Sequence, residues 1–232
     1  MTAGGPLLAI DTATTNAVVA LGATDGTLLA HRTWVAGYRH GEELLTQIEA
    51  LLGEARIATA DLGGIVVGTG PGAFTGLRVG IATAKGLAHA LGLPIVGVAT
   101  SSALLDAAAG AMGKDRSTLA LLQPAGLNDR VLTVDGEPPR IVPGGVDPEL
   151  AAGIVLVAID LEGRAAVDAT GRGEAARDGL ATTLVALGAA RLAGGHPDDL
   201  ARLAPEYVTL PRGVRAAAPE GGVELTGGRP AS

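Results

Sequence analysis

Apolar positions along this chain fall into short β-branched runs and longer stretches with a helical period. Leu7 to Asp11 (LLAID), Ala17 to Leu21 and Thr27 to Trp34 read as three strands, the last two joined across Asp25-Gly26, a strong hairpin signal. A polar loop with Tyr38, Arg39 and His40 leads into a helix from about Gly41 to Leu52. There Leu44, Leu45, Ile48, Leu51 and Leu52 share one arc, while Glu42, Thr46, Gln47 and Glu49 lie off it. Ile65, Val66 and Val67 form a buried strand that runs into Gly68, Gly70, Pro71 and Gly72, a tight loop. A helix from about Thr75 to Leu91 follows, stopped by Gly92 and Pro94. Pro94 to Ala99 is a further strand, and Thr100 or Ser101 is placed to cap a helix through about Ala109.

The order β-β-β-α-β-α-β-α over residues 1–100 predicts a five-stranded mixed sheet with helices, as in a ribonuclease H-like lobe. Residues 101–212, the part that the resemblance described below assigns to a second, reduced lobe, are less regular. Leu119 to Leu122, Val131 to Val134 and Ile154 to Ile159 read as strands, Ala181 to Leu192 as a helix, and Pro138 to Pro148 as a loop. Residues 213–232 are rich in Gly, Pro and Ala without apolar period and are expected to be a disordered tail.

The helix after the glycine loop is apolar nearly all round. Leu77, Ile81, Ala84, Ala88 and Leu91 face one way; Val79, Thr83, Gly86, Leu87 and Ala90 face another. Gly76, Gly80, Ala84 and Ala88 recur every four residues, a spacing that lets another backbone come close. Such a helix is expected to be covered on two sides, by its own sheet and by a second contact that the pattern alone does not identify. Arg78 and Lys85, on one narrow stripe with His89, are expected to form a charged rim beside that contact.

Composition narrows the chemistry. The 232 residues suffice for one large domain or two lobes, 47% hydrophobic but only 2% aromatic, so cores are built from Ala, Val and Leu. With no cysteine, thiolate catalysis and Cys-based zinc sites are excluded. The start, MTAGGPLLAID, has no basic segment and no long apolar run, and no stretch reaches the ~18 apolar residues of a spanning helix, so a cytoplasmic location is the expectation. A net charge of −7 with scattered basic residues argues against gripping nucleic acid directly.

Several chemistries lack their residues. GxxxxGK[ST] is absent. Gly68, Gly70 and Ala73 formally meet a dinucleotide fingerprint, but the next strand ends in Val98, Ala99 and Thr100 without the ribose-binding acid. His31, His40, His89 and His196 form no HxxxH or HExxH pair, and GxSxG is absent. Asp11-Thr12, with Thr14 and Thr15, looks like the first phosphate loop of actin-like ATPases and sugar kinases, or else Asp11 caps its own turn. The counterpart loop, Leu119 to Ala125, carries Gln123 and Pro124 in place of a second carboxylate.

Ile10-Asp11-Thr12, His40 before a Leu/Ile helix, and Gly70-Pro71-Gly72-Ala73-Phe74-Thr75-Gly76-Leu77-Arg78-Val79-Gly80 with Gly86-Leu87-Ala88 closely resemble the TsaB (YeaZ) family. Pro205-Glu206-Tyr207-Val208 is similar to that family's closing Pro-x-Tyr segment. The resemblance is strong over residues 7–100 and faint beyond 110. It implies an actin-like (ASKHA) fold of two ribonuclease H-like lobes, the second reduced. It also implies a non-catalytic subunit for making N6-threonylcarbamoyladenosine at adenosine 37 of tRNA. In that family the catalytic paralogue is TsaD, TsaE supplies an ATPase, TsaC makes threonylcarbamoyl-adenylate, and TsaB pairs with TsaD through the first two helices of each, or with itself when alone. The implied interface comprises Leu44, Leu45, Ile48, Gly76, Arg78, Val79, Gly80, Thr83, Lys85 and Gly86. The motif loop comprises Asp11, Thr12, Gly70, Pro71, Gly72, Phe74 and Thr75. No metal or resident cofactor is expected, and ATP or ADP only at an interface shared with the partner. Ala73 replaces the family's usual Ser, and Gln123-Pro124-Ala125 its Asp-Ala-Arg. The rival readings are an ATP-binding actin-like kinase using Asp11 and a glycoprotease-like hydrolase.

Overall fold

The computed structural model describes residues 4–36, 40–126 and 128–208, with the side chains of His40 and Glu42 left aside. Tyr38, Arg39 and the tail from Gly213 lie outside the described residues. The first sheet contains β1 (Leu7–Asp11), β2 (Asn16–Gly22), β3 (Leu28–Val35), β4 (Gly64–Gly70) and β5 (Ile95–Ala99) in the order β3-β2-β1-β4-β5. β1 and β2 pair antiparallel, as do β2 and β3, whereas β1 with β4 and β4 with β5 pair parallel. Crossovers run through α1 (His40–Ala55) and α2 (Phe74–Leu91), and α3 (Thr100–Met112) follows β5.

The pleat divides the apolar residues. Leu8, Ile10, Val19, Leu21, Ile65 and Val67 point to one face and join Leu44, Ile48 and Leu51 of α1 and Ile81, Ala84 and Ala88 of α2. Leu7, Ala9, Val18, Ala20, Val66 and Val96 point to the other, against α3 and α4 (Val167–Ala193). The same core takes Leu119 and Leu121 from β6 (Leu119–Ala125) and Val157 from β9 (Val155–Ala158). α3 and α4 therefore lie between the two sheets and belong to both cores.

The second sheet has the order β8-β7-β6-β9, with β7 at Asp129–Val134 and β8 at Arg140–Val142. Its outer face buries Ala120, Leu122, Leu132 and Val142 beneath Leu150, Ile154, Leu161 and Ala169, mostly loop residues. This is the actin-like architecture of two ribonuclease H-like lobes with the second reduced. Among the described residues no helix is long and apolar enough to cross a membrane.

Three readings change. The region from Pro138 to Pro148 is not all loop: Arg140, Ile141 and Val142 pair with Leu132, Val131 and Arg130. The last helix starts at Val167 rather than Ala181, its first half carrying charge and glycine that mask the apolar period. Neither Thr100 nor Ser101 caps α3; the N-cap is Ala99, without a side-chain bond, because the Thr100 hydroxyl turns to Asp11.

Candidate partner face and the motif loop

Asp11 ends β1 beside Gly68 of β4, where a Cβ would stand 1.8 Å from its Oδ2. The carboxylate is fully enclosed. Its Oδ1 accepts from the Ala13 N–H at 2.8 Å, an Asx turn, and its Oδ2 accepts from the Thr100 hydroxyl at 2.7 Å. Thr100 Oγ1 in turn accepts from the Gly70 N–H at 3.1 Å. Burial pushes the Asp11 carboxyl up to about 6, against the lowering effect of those hydrogen bonds.

The other hydroxyls of this loop are engaged by the chain itself. Thr12 donates to the Gly76 carbonyl at 2.7 Å, Thr14 to the Asn16 carbonyl at 2.8 Å, and Thr15 to Asp160 Oδ1 at 2.5 Å. Asp160, at φ 56°, also accepts from the Thr15 N–H and from Arg177, both at 2.8 Å. Gln123 Nε2 donates to the Pro71 carbonyl at 3.2 Å. The crevice between the lobes is thus bridged at two points by direct side-chain contacts. Ala73 is the α2 N-cap and makes no side-chain cap bond; its N–H donates to the Ala13 carbonyl at 2.7 Å. Among the described residues no group of three His, Asp or Glu could hold a metal.

The motif helix α2 has three environments. Its inner side, Gly76, Leu77, Gly80, Ile81, Ala84 and Ala88, is buried in the chain's own core. Gly80 belongs to this side: a Cβ there would meet Thr12 Oγ1 at 2.2 Å. The missing side chain at Gly80 lets α2 close on the loop after β1. On one flank Arg78 stacks over Phe74, its guanidinium carbon 3.9 Å from the ring centroid, and donates to the Tyr207 hydroxyl at 2.9 Å. Lys85 donates to the Leu203 carbonyl at 3.1 Å. The two cations are thus held by the closing segment of the chain itself, a contact that their helical stripe alone could not reveal.

That closing segment is a strap. Asp198 N–H donates to the Ile95 carbonyl and Asp198 Oδ2 accepts from the Gly97 N–H, at 2.8 and 2.6 Å. Glu206 N–H donates to the Thr69 carbonyl at 2.8 Å, while the Thr69 hydroxyl donates to Glu206 Oε1 at 2.6 Å. The strap covers the β5 edge, which would otherwise present unpaired backbone groups.

The third side of α2 faces outward. Thr75, Ala82, Gly86 and Ala90 are exposed and Val79, Thr83 and Leu87 half-buried. A Cβ at Gly86 would touch nothing within 4 Å. Beside it, α1 turns Leu44 and Ile48 inward and presents Leu45, 52% exposed. Of the residues expected at an interface, Leu45, Val79, Thr83 and Gly86 are therefore available on the surface. Leu44, Ile48, Gly76 and Gly80 are inside, and Arg78 and Lys85 are engaged by the strap.

Residues 34–142 match the family model described as TsaD, tRNA N6-adenosine threonylcarbamoyltransferase. The TsaB protein of Escherichia coli, described as a tRNA threonylcarbamoyladenosine biosynthesis protein, is 39% identical over 115 residues, 50% of this chain and 48% of that protein. The TsaB protein of Bacillus subtilis is 35% identical over 98 residues, 42% of each chain. An uncharacterized protein of Mycobacterium leprae is 46% identical over 101 residues, 42% of this chain and 28% of its own. The chain spans about half or less of the length of these curated relatives. Among solved structures, YeaZ from Pseudomonas aeruginosa superposes with a TM-score of 0.66 at 26% identity, covering 88% of this chain and 100% of that one. In sequence over about its first half, and in fold over nearly all of its length, the chain is similar to TsaB and YeaZ proteins.

Proposed function

We propose that this chain is a non-catalytic subunit that docks on a TsaD-type threonylcarbamoyltransferase and supports formation of N6-threonylcarbamoyladenosine at adenosine 37 of tRNA, in the cytoplasm. The observation that carries this reading is the outer side of α2, where Val79, Ala82, Thr83, Gly86 and Ala90 make a smooth surface of small, uncharged side chains beside the exposed Leu45. A surface helix ordinarily turns charged residues outward. This one permits close approach of another helix, and closely packed small residues give the shape complementarity of a stable interface.

The remaining parts of the reading follow from that contact. The tRNA is held by the partner, consistent with a net charge of −7 on this chain. TsaE joins through the assembled pair, and any adenine nucleotide sits at the shared interface rather than in the bridged crevice of this chain alone. In the absence of TsaD the same face pairs two copies. Co-expression with the TsaD of the same organism, followed by size-exclusion chromatography, tests the proposal: a stable one-to-one complex is expected. Separate elution of the two chains at micromolar concentration would overturn it.

A further inference from the structure

We propose a second site, independent of the α2 face: a cavity in the second lobe that binds a compact phosphate group. The cavity has a volume of about 560 Å³ and lies where the β6–β7 and β8 loops meet the start of α4. Its walls include Arg130, Arg164, Gly145 and Ala166, with Asp147 as the acid among the lining residues. The volume is within the roughly 300–1,000 Å³ of small-ligand sites.

Two guanidinium groups share this space without a carboxylate partner among the described residues. Arg130 is 4% exposed and donates only to carbonyl oxygens, those of Arg164 at 3.3 Å, Pro143 at 2.9 Å and Val146. Its Nε has no hydrogen-bond partner. Arg164 is exposed and donates through Nη2 to the carbonyls of Asn128 at 2.9 Å and Asp129 at 3.5 Å. The Asp129 carboxylate is turned to the Gly144 N–H, 3.3 Å away.

A buried charge is normally paired, since solvation by carbonyl dipoles leaves its net charge in place. The helix adds to it. Ala166, the α4 N-cap, supplies no side-chain acceptor, and the one acid of the first turn, Asp168, is paired with Arg172 at 2.9 Å, so the positive end of a 27-residue helix borders the same cavity. Guanidinium forks and helix N–H groups together are the chemistry that holds phosphate oxygens. An extended polyanion is disfavoured by the overall charge of −7. The ligand is therefore a small phosphate or pyrophosphate, free or on a metabolite, rather than a nucleic-acid backbone.

Calorimetric titration of the full chain with pyrophosphate and, separately, with inorganic phosphate tests this at constant ionic strength against chloride. Saturable one-site binding is expected for at least one of them, and the stronger of the two identifies the source. Arg164→Gln, at an exposed side chain, should weaken it at least about tenfold with an unchanged melting temperature. Val167→Asp, at a position 87% exposed, should weaken it similarly by placing a carboxylate at the first helical residue. No saturable binding of either anion, or equal affinity in Arg164→Gln and the natural chain, would overturn the site. Tighter binding of a single-stranded RNA oligonucleotide than of pyrophosphate would overturn the assignment to a compact ligand.

Discussion

Replacing Gly80 by alanine isolates the contact that seats α2 on the loop after β1. The new Cβ would stand 2.2 Å from Thr12 Oγ1, far inside van der Waals contact. Thr12 is β-branched, with few rotamers, and turning it away breaks its 2.7 Å bond to the Gly76 carbonyl. Losing that bond costs about 1 kcal/mol, and accommodating the methyl group costs about 1–3 kcal/mol more. Alanine regains about 1 kcal/mol of helix propensity, so Gly80→Ala should destabilise by a net of about 1–3 kcal/mol. In a Thr12→Ala background the obstructing oxygen is gone, and the next atom of residue 12, its Cβ, lies at 3.4 Å. There Gly80→Ala should stabilise by up to about 1 kcal/mol, giving a coupling of about 2–4 kcal/mol. Urea unfolding of the four chains of this cycle measures it. Equal cost of Gly80→Ala in both backgrounds would refute the packing argument.

Two further predictions concern buried charge. Asp11 titrates near 6 in the fold against 3.8 for an ordinary carboxyl, so the folded chain retains a proton that the unfolded chain releases between about pH 4 and 6. Stability from this residue is present below that window and lost as pH rises through 6, by about 2–3 kcal/mol. The difference in urea midpoint between the natural chain and Asp11→Asn should therefore slope across pH 4 to 6 and be flat above; a slope of opposite sign would contradict the burial of an unpaired carboxylate. Asp160→Ala removes the acceptor for both Thr15 groups and leaves Arg177, 15% exposed at its side chain, with Glu162 3.7 Å away. It should cost about 3 kcal/mol and Asp160→Asn about half that; a cost below about 1 kcal/mol for the alanine variant would show that the bridge between the lobes is idle.

Much of the first lobe was legible because its strands are short apolar runs between turn signals and α1 is amphipathic. The glycine and proline punctuation around Pro71 located the loop between β4 and α2. α4 was half hidden for a physical reason. Gly173, Gly179 and Gly188 weaken any apolar pattern, yet each is a contact: a Cβ at Gly173 would stand 1.8 Å from the Ala158 carbonyl oxygen, and one at Gly188 2.3 Å from Val66. A helix pressed against two sheets needs small residues more than apolar ones. The same ambiguity applies to Gly80, since a glycine notch shows that something comes close but not whether it belongs to the same chain; here it is the Thr12 side chain. Leu44 and Leu45 lie side by side on the predicted arc, and only the packing of α1 on the sheet turns the first inward and the second out. The strap from Asp198 to Tyr207 has no period, because hydrogen bonds to Ile95, Gly97 and Thr69 hold it and only Leu200 and Leu203 pack against the core.

The central claim, that the outer side of α2 docks on a TsaD-type partner, is tested most directly at Gly86. Nothing lies within 4 Å of a Cβ there, so Gly86→Arg should leave the free chain folded and raise its stability by up to about 0.8 kcal/mol. Placed where a second helix must approach, the same side chain should weaken association with TsaD by 2 kcal/mol or more, about thirtyfold in Kd by titration calorimetry. A variant that is stabilised yet no longer binds is the result predicted. Binding at undiminished affinity would contradict the account.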